Sequence, residues 1–249
     1  MSQAQPSIYL ASIRIDEPIT TLTDLMVSFV CFYAFFKLSG LHNKTKIGYY
    51  LRFYFLSMGI ATGIGGIIGH GFLYAFDAEW KLPENYIAVV TRIFGDKNMN
   101  PAANPWKLPG WLTSMFSIAL VERSSIEYAK KYIKPAAGKF FSRLNIVELF
   151  LFVTLTFSTL NFYFVEIHSF YGLMLIVAGF SLFRFIKSRS KGSVLFLIGV
   201  LFSAISALFF MNKWSFHTWY NYLDASHTFM TFGAFFFYKG AREILRECR

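Results

Sequence analysis

Seven long apolar runs alternate with polar connectors along this 249-residue chain. The runs cover Thr20–Gly40, Gly48–Phe76, Pro105–Tyr128, Leu144–Val165, Ile167–Lys187, Ser193–Met211 and Thr218–Gly240. A helix needs about 20 mostly apolar residues to cross a hydrocarbon core about 30 Å thick, so each run predicts a membrane-spanning helix. The second run is longer than a crossing requires, which predicts a tilt or an overhang. The expected fold is all-α: one integral membrane domain over residues 1–249, arranged as a seven-transmembrane helix bundle. The longest connector, Asp77–Asn104, contains YIAVVTRIF at Tyr86–Phe94. That stretch predicts a short interfacial helix or strand, serving as a lid, a binding element or a plain surface strap.

Charge gives the bundle a direction. The odd-numbered connectors and the C-terminal tail hold eighteen of the 24 Lys and Arg residues, whereas Arg14, Lys81, Arg92, Lys97, Lys107 and Lys213 are the six on the other side. Cytoplasmic loops collect Lys and Arg, so the N-terminus is expected outside and the C-terminus in the cytoplasm. The net charge of +10 then serves orientation and contact with anionic headgroups. No basic region stands apart from the spans, which argues against a nucleic-acid partner. Met1–Ile19 is polar and lacks the regions of a cleavable signal, so the first span is the expected targeting signal. Cys31 and Cys248 lie too far apart along this topology to bridge.

An ionisable residue inside a span is costly and calls for a reason. Asp24 lies in the first span, His70 in the second, Asp224 and His227 in the seventh, with His217 just before it. The alternation of spans puts Asp24, His70, Asp224 and His227 in the outer half of one bundle. Asp224 and His227 are three apart and share a helix face. Thr228 and Thr231 continue that face, and Asn221 and His217 extend it outward. His217 and His227 are about 15 Å apart along a helix, too far to hold one ion unless the helix breaks. Three readings of the group stand open. It is a His–Asp hydrogen bond tying helices together, a zinc site of His70, Asp224 and His227 with one position left for water, or a haem held between His70 and His227. Glu122 and Glu148 are expected near cytoplasmic helix ends, reaching headgroups or Arg123 and Arg143. The stretch GIATGIGGIIGHG ahead of Phe72 has the small-residue spacing that lets helices approach closely. It also leaves room beside His70 for a ligand.

With seven spans, an external N-terminus, a Gly-rich second helix ending in His and a seventh helix with Asp and His, the chain resembles the alkaline ceramidase–PAQR receptor (CREST) superfamily of membrane hydrolases. GGIIGHGFLY and WYNYLDASHTFMTFGAFFFYKGA look most like a bacterial branch of it, implying a bacterial inner membrane. In that superfamily zinc is held by one His on the second helix and two on the seventh, assisted by a Ser and an Asp near the first His. The resemblance makes His70 and His227 ligands. Leu223 stands where the second His of H-x-x-x-H belongs, and Gly66 where the Ser belongs. Asp224 is then the expected third zinc ligand. Asp77 or Asp24 is the expected proton acceptor, and Thr23, Asn221 and His217 the expected substrate contacts. Two functions follow: a zinc-dependent hydrolase of a lipid amide or ester, or a non-catalytic seven-helix protein that binds a lipid or a partner.

Overall fold

The computed structural model describes residues 5–41, 45–76, 83–95 and 104–248. The chain opens with a hairpin of β1 (Ile8–Leu10) and β2 (Ile13–Ile15), pairing Ile8 with Ile15 across Ala11 and Ser12. Both turn residues have positive φ, as the tight two-residue turns of hairpins require. Among the described residues the remaining regular elements are helical: α1 (Pro18–Ser39), α2 (Lys46–Ile64), α3 (Glu84–Phe94), α4 (Leu108–Ala129), α5 (Pro135–Thr159), α6 (Tyr163–Phe170), α7 (Ala178–Ser188), α8 (Lys191–Asn212) and α9 (Tyr222–Glu247). A π-helical segment, Gly65–Gly71, extends α2 without a break, and a second, Tyr171–Val177, joins α6 to α7.

Local chemistry sets the ends. Proline occupies the first turn of α1, α4 and α5, where its missing N–H costs nothing. Thr45 caps α2 by accepting from Gly48 N at 3.1 Å, and Ser190 caps α8 by accepting from Ser193 N at 3.1 Å. Leu160, Arg189 and Lys213 end α5, α7 and α8 in left-handed conformation. Helix limits therefore differ from hydropathy limits. The fourth helix starts at Pro135, nine residues before its apolar run, because Lys139 and Arg143 lie on its first turns. The last helix starts at Tyr222, because 213–221 form a turn closed by His217 and Tyr220. Tyr86–Phe94 is helical, within α3.

Five helices among the described residues are long and apolar enough to cross a membrane: Pro18–Ser39, Lys46–Gly71, Pro135–Thr159, Tyr163–Ser188 and Lys191–Asn212. The chain is thus an all-α integral membrane protein by length and composition. The helices α4 and α9 have 22 and 26 residues but more polar ones. Position explains the difference for α4, which buries thirteen of its residues and is shielded by its neighbours. By contrast, α5 and α8 bury few residues and turn apolar side chains outward; Phe150 and Leu201 are 69 % and 58 % exposed. Such continuous exposed apolar surface suits lipid rather than water. The interior is packed by Phe55, Phe196, Phe237, Leu38 and Leu51. Cys31 is buried, and both it and Cys248 are free thiols.

Candidate functional site

The N-terminal ends of α1 and α9 and the π segment after α2 come together. Asp24 of α1 is 5 % exposed and stands between two imidazoles. Its Oδ1 lies 3.4 Å from His227 Nε2 and its Oδ2 3.8 Å from His70 Nε2. The two rings are 6.1 Å apart between centroids. Each ring is also held from behind. His70 Nδ1 lies 2.5 Å from Glu17 Oε2, and His227 Nδ1 lies 3.4 Å from Thr23 Oγ1. Glu17 sits just ahead of α1 in left-handed conformation. Burial, the largest influence, pushes its carboxyl up, but the hydrogen bond and charge of His70 together with the charge of Lys107 bring it below the usual 4.5.

The glycines of the second helix make this approach possible. A Cβ on Gly66 would lie 2.9 Å from Asp24 Cβ and 3.0 Å from Thr21 O, and one on Gly65 3.2 Å from Asp24 Oδ2. Close packing and room for the site are therefore one property. The π segment spans these glycines and His70; π turns occur often at functional sites.

Asp224 is placed differently from the expected zinc ligand. Its Oδ1 accepts from Thr20 Oγ1 at 2.8 Å, and its Oδ2 from Gln5 Nε2 and Asn221 N, both at 2.6 Å. Asn221 in turn accepts from Leu223 N and Asp224 N. The pair is a capping box that starts α9, so both side chains serve the helix terminus. Gln5 extends the arrangement by accepting from Ile19 N and Thr20 N at the start of α1. His217 lies in the turn before α9, exposed, and its Nδ1 accepts from Trp219 N at 3.2 Å. It does not join His227. Thr23 does reach the site, through His227. Asp77 lies outside the described residues. The haem reading fails on geometry, since Asp24 occupies the space between the rings that a macrocycle would need.

Beside His227 a cavity of about 280 Å³ runs into the bundle. Its walls are mainly apolar, with Tyr54, Met58, Leu173, Met230 and Phe237 among them, and Ser206 and Ser226 share a hydrogen bond in one wall. Phe170 and Met211 line it and are 58 % and 70 % exposed. The helix α3 lies elsewhere: Tyr86 donates to Ser158 O at the end of α5, 2.9 Å away.

A second polar cluster went unrecognised in the sequence. Glu122 and Glu148 do not reach Arg123 or Arg143. They face each other and His168 in the interior, while Arg123 turns to Ser142 O and Glu127. His168 sits in an apolar stretch, and no local spacing links it to either glutamate.

The fold and the site together define a helical membrane protein with a histidine–aspartate–histidine centre, its aspartate buried and its histidines partly so, beside an apolar cavity. The chain belongs to a family described as a family of unknown function, DUF6962, which matches residues 19–94 and 98–246. No curated protein matches it, and no solved structure does.

Proposed function

We propose that the protein is a seven-span membrane hydrolase, N-terminus outside, that cleaves the acyl bond of a lipid amide or ester with the help of zinc. One observation carries the reading: three acceptors face one another at His70, His227 and Asp24. Thr23 gives its hydroxyl hydrogen to Thr20 O at 3.1 Å, so its oxygen accepts from His227 Nδ1–H. Glu17 accepts from His70 Nδ1–H. Both Nε2 lone pairs then point at a carboxylate. Acceptors crowded together with so little access to water call for a cation. Zinc takes imidazole nitrogen and carboxylate oxygen, and a hydrogen-bond partner on the far nitrogen is the usual setting of a zinc-bound histidine.

The donor set fits zinc with Asp24, not Asp224, as its carboxylate. Bound zinc supplies a water that ionises near neutral pH. The chain supplies the rest. Glu17 and Thr23 fix the rings, the cavity beside His227 takes the acyl chain, and Asp77, seven residues after His70, is the proposed proton acceptor. Each buried CH₂ contributes about 0.8 kcal/mol, so a long chain needs few polar contacts. Substrate enters sideways between α6 and α8, past Phe170 and Met211. The spans of α4 and α9 complete the seven, with the Lys and Arg excess on the cytoplasmic side.

The test is metal content and turnover in purified protein. His227→Ala and Asp24→Asn lose one equivalent of zinc and all lipid turnover while remaining folded in the membrane. If wild type cleaves neither a ceramide-like amide nor a lysolipid, and neither substitution changes zinc content, the protein is a non-catalytic lipid-binding bundle.

A further inference from the structure

Among the described residues, no Lys or Arg pairs with the interior cluster. Glu122 of α4 and His168 of α6 are 0 % exposed and Glu148 of α5 is 6 % exposed. One ligand atom from each lies within 4.8 Å of the others, and His168 Nε2 is 3.6 Å from Glu148 Oε1. Glu122 Oε1, both Glu148 oxygens and both His168 nitrogens are buried without a well-formed hydrogen bond, although the Tyr171 hydroxyl and the Glu122 carboxyl both face Glu148. The remaining oxygen, Glu122 Oε2, accepts from Asn145 Nδ2 at 3.3 Å, and Asn145 is itself fixed by Ala119 O. No Lys or Arg among the described residues forms an ion pair with the three.

The surroundings are shaped to hold these groups. A Cβ on Gly172 would lie 2.3 Å from Glu122 Oε1 and 2.5 Å from Ile118 Cγ2, so only glycine leaves the carboxylate its place. Gly172 belongs to the π segment Tyr171–Val177, which packs on α4. Phe152 meets the His168 ring edge-on at 5.6 Å between centroids.

We infer that Glu122, Glu148 and His168 bind a second metal, a divalent first-row transition ion, as a structural staple between α4, α5 and α6. Two carboxylates and a neutral imidazole carry two negative charges, which one divalent ion cancels while giving all three groups a partner. A single shared proton leaves one negative charge in the interior, and buried charge without a partner costs several kcal/mol or more. Metal–ligand bonds of about 2.0–2.2 Å place donors about 3.3 Å apart. The observed 3.6 Å between His168 and Glu148 needs little adjustment. Mixed nitrogen and oxygen ligation suits zinc or manganese. None of the three residues lines the cavity beside His227, and a closed site of this kind is structural. Its mechanical use is plain, because α5 joins the bundle mainly through α4 and α6.

The site is independent of the zinc proposed at His70, and the experiment separates them. Full-length protein is stripped with chelator, then loaded with Zn²⁺ or Mn²⁺ and its metal content measured. The His70→Ala/His227→Ala variant retains one tightly held equivalent. Adding Glu148→Gln or His168→Ala to it removes that equivalent, and Zn²⁺ or Mn²⁺ then no longer raises the melting temperature. Glu148→Gln keeps the shape of the side chain and carries the test if His168→Ala misfolds. If the double variant binds neither ion, or its equivalent survives Glu148→Gln, the staple is refuted and protons neutralise the cluster. If only the outer site fails, wild type loses its metal on Glu148→Gln but not on His227→Ala.

Discussion

Gly66 faces Asp24 so closely that a Cβ on Gly66 would stand 2.9 Å from the Asp24 Cβ. The contact joins α1 to the π segment and fixes where the Asp24 carboxylate meets both histidines. A serine at this position cannot coexist with the observed packing. Gly66→Ser is therefore expected to destabilise the protein by about 1–3 kcal/mol, as overpacking does, and to lower zinc affinity. Denaturation in detergent and metal content measure the two effects; unchanged values in both would show that α1 can retreat freely.

The two aspartates separate in their effects. Asp224→Ala removes the capping box and the bonds to Thr20 and Gln5. It is expected to cost about 1–2 kcal/mol of stability and to leave zinc stoichiometry intact. Asp24→Asn is expected to do the reverse. Zinc loss in Asp224→Ala with full retention in Asp24→Asn would restore Asp224 as the ligand.

Glu17 holds the His70 ring from behind at 2.5 Å. Outer-shell partners of this kind are worth about 10–100-fold in metal affinity. Glu17→Gln should weaken zinc binding by that order while His70 remains in place, as competition against a calibrated chelator would reveal. Full-strength binding would mean that Glu17 only caps the ring.

Acid adds a further handle on Glu17. Burial raises its folded carboxyl, but the bond to His70 and the charges of His70 and Lys107 together bring it below the usual 4.5. A depressed acid stabilises the fold at pH above its unfolded value and loses that contribution as pH falls through the folded one. Metal-free protein should lose melting temperature below about pH 4.5. Glu17→Gln should flatten this part of the profile, and an unaltered slope would assign the acid sensitivity elsewhere.

Ala207 lines the cavity beside His227. Ala207→Phe fills part of it and should abolish acyl-chain binding and turnover while sparing both metal equivalents. Reporter fusions after Arg189 and at the C-terminus should both read as cytoplasmic. Retained turnover by the Phe variant would place the substrate in another groove, and an external reading of either reporter would reverse the topology.

The sequence by itself determined the all-α membrane class, the approximate helices and the residues that call for partners. Hydropathy and the cost of polar groups in hydrocarbon act locally, so Asp24, His70, Asp224 and His227 stand out in one dimension. Only the tertiary structure put Asp24, and not Asp224, beside both imidazoles. Three-residue spacing puts Asp224 on the face of His227, but the break at 213–221 places Asp224 in the first turn of α9, where backbone N–H groups and Gln5 claim it. The inner cluster was illegible for the same reason. Glu122, Glu148 and His168 come from three helices, and nothing along the chain records how α4, α5 and α6 are rotated against one another. That rotation follows from side-chain packing across helices, including the space left by Gly172, and so it exists only in the folded bundle.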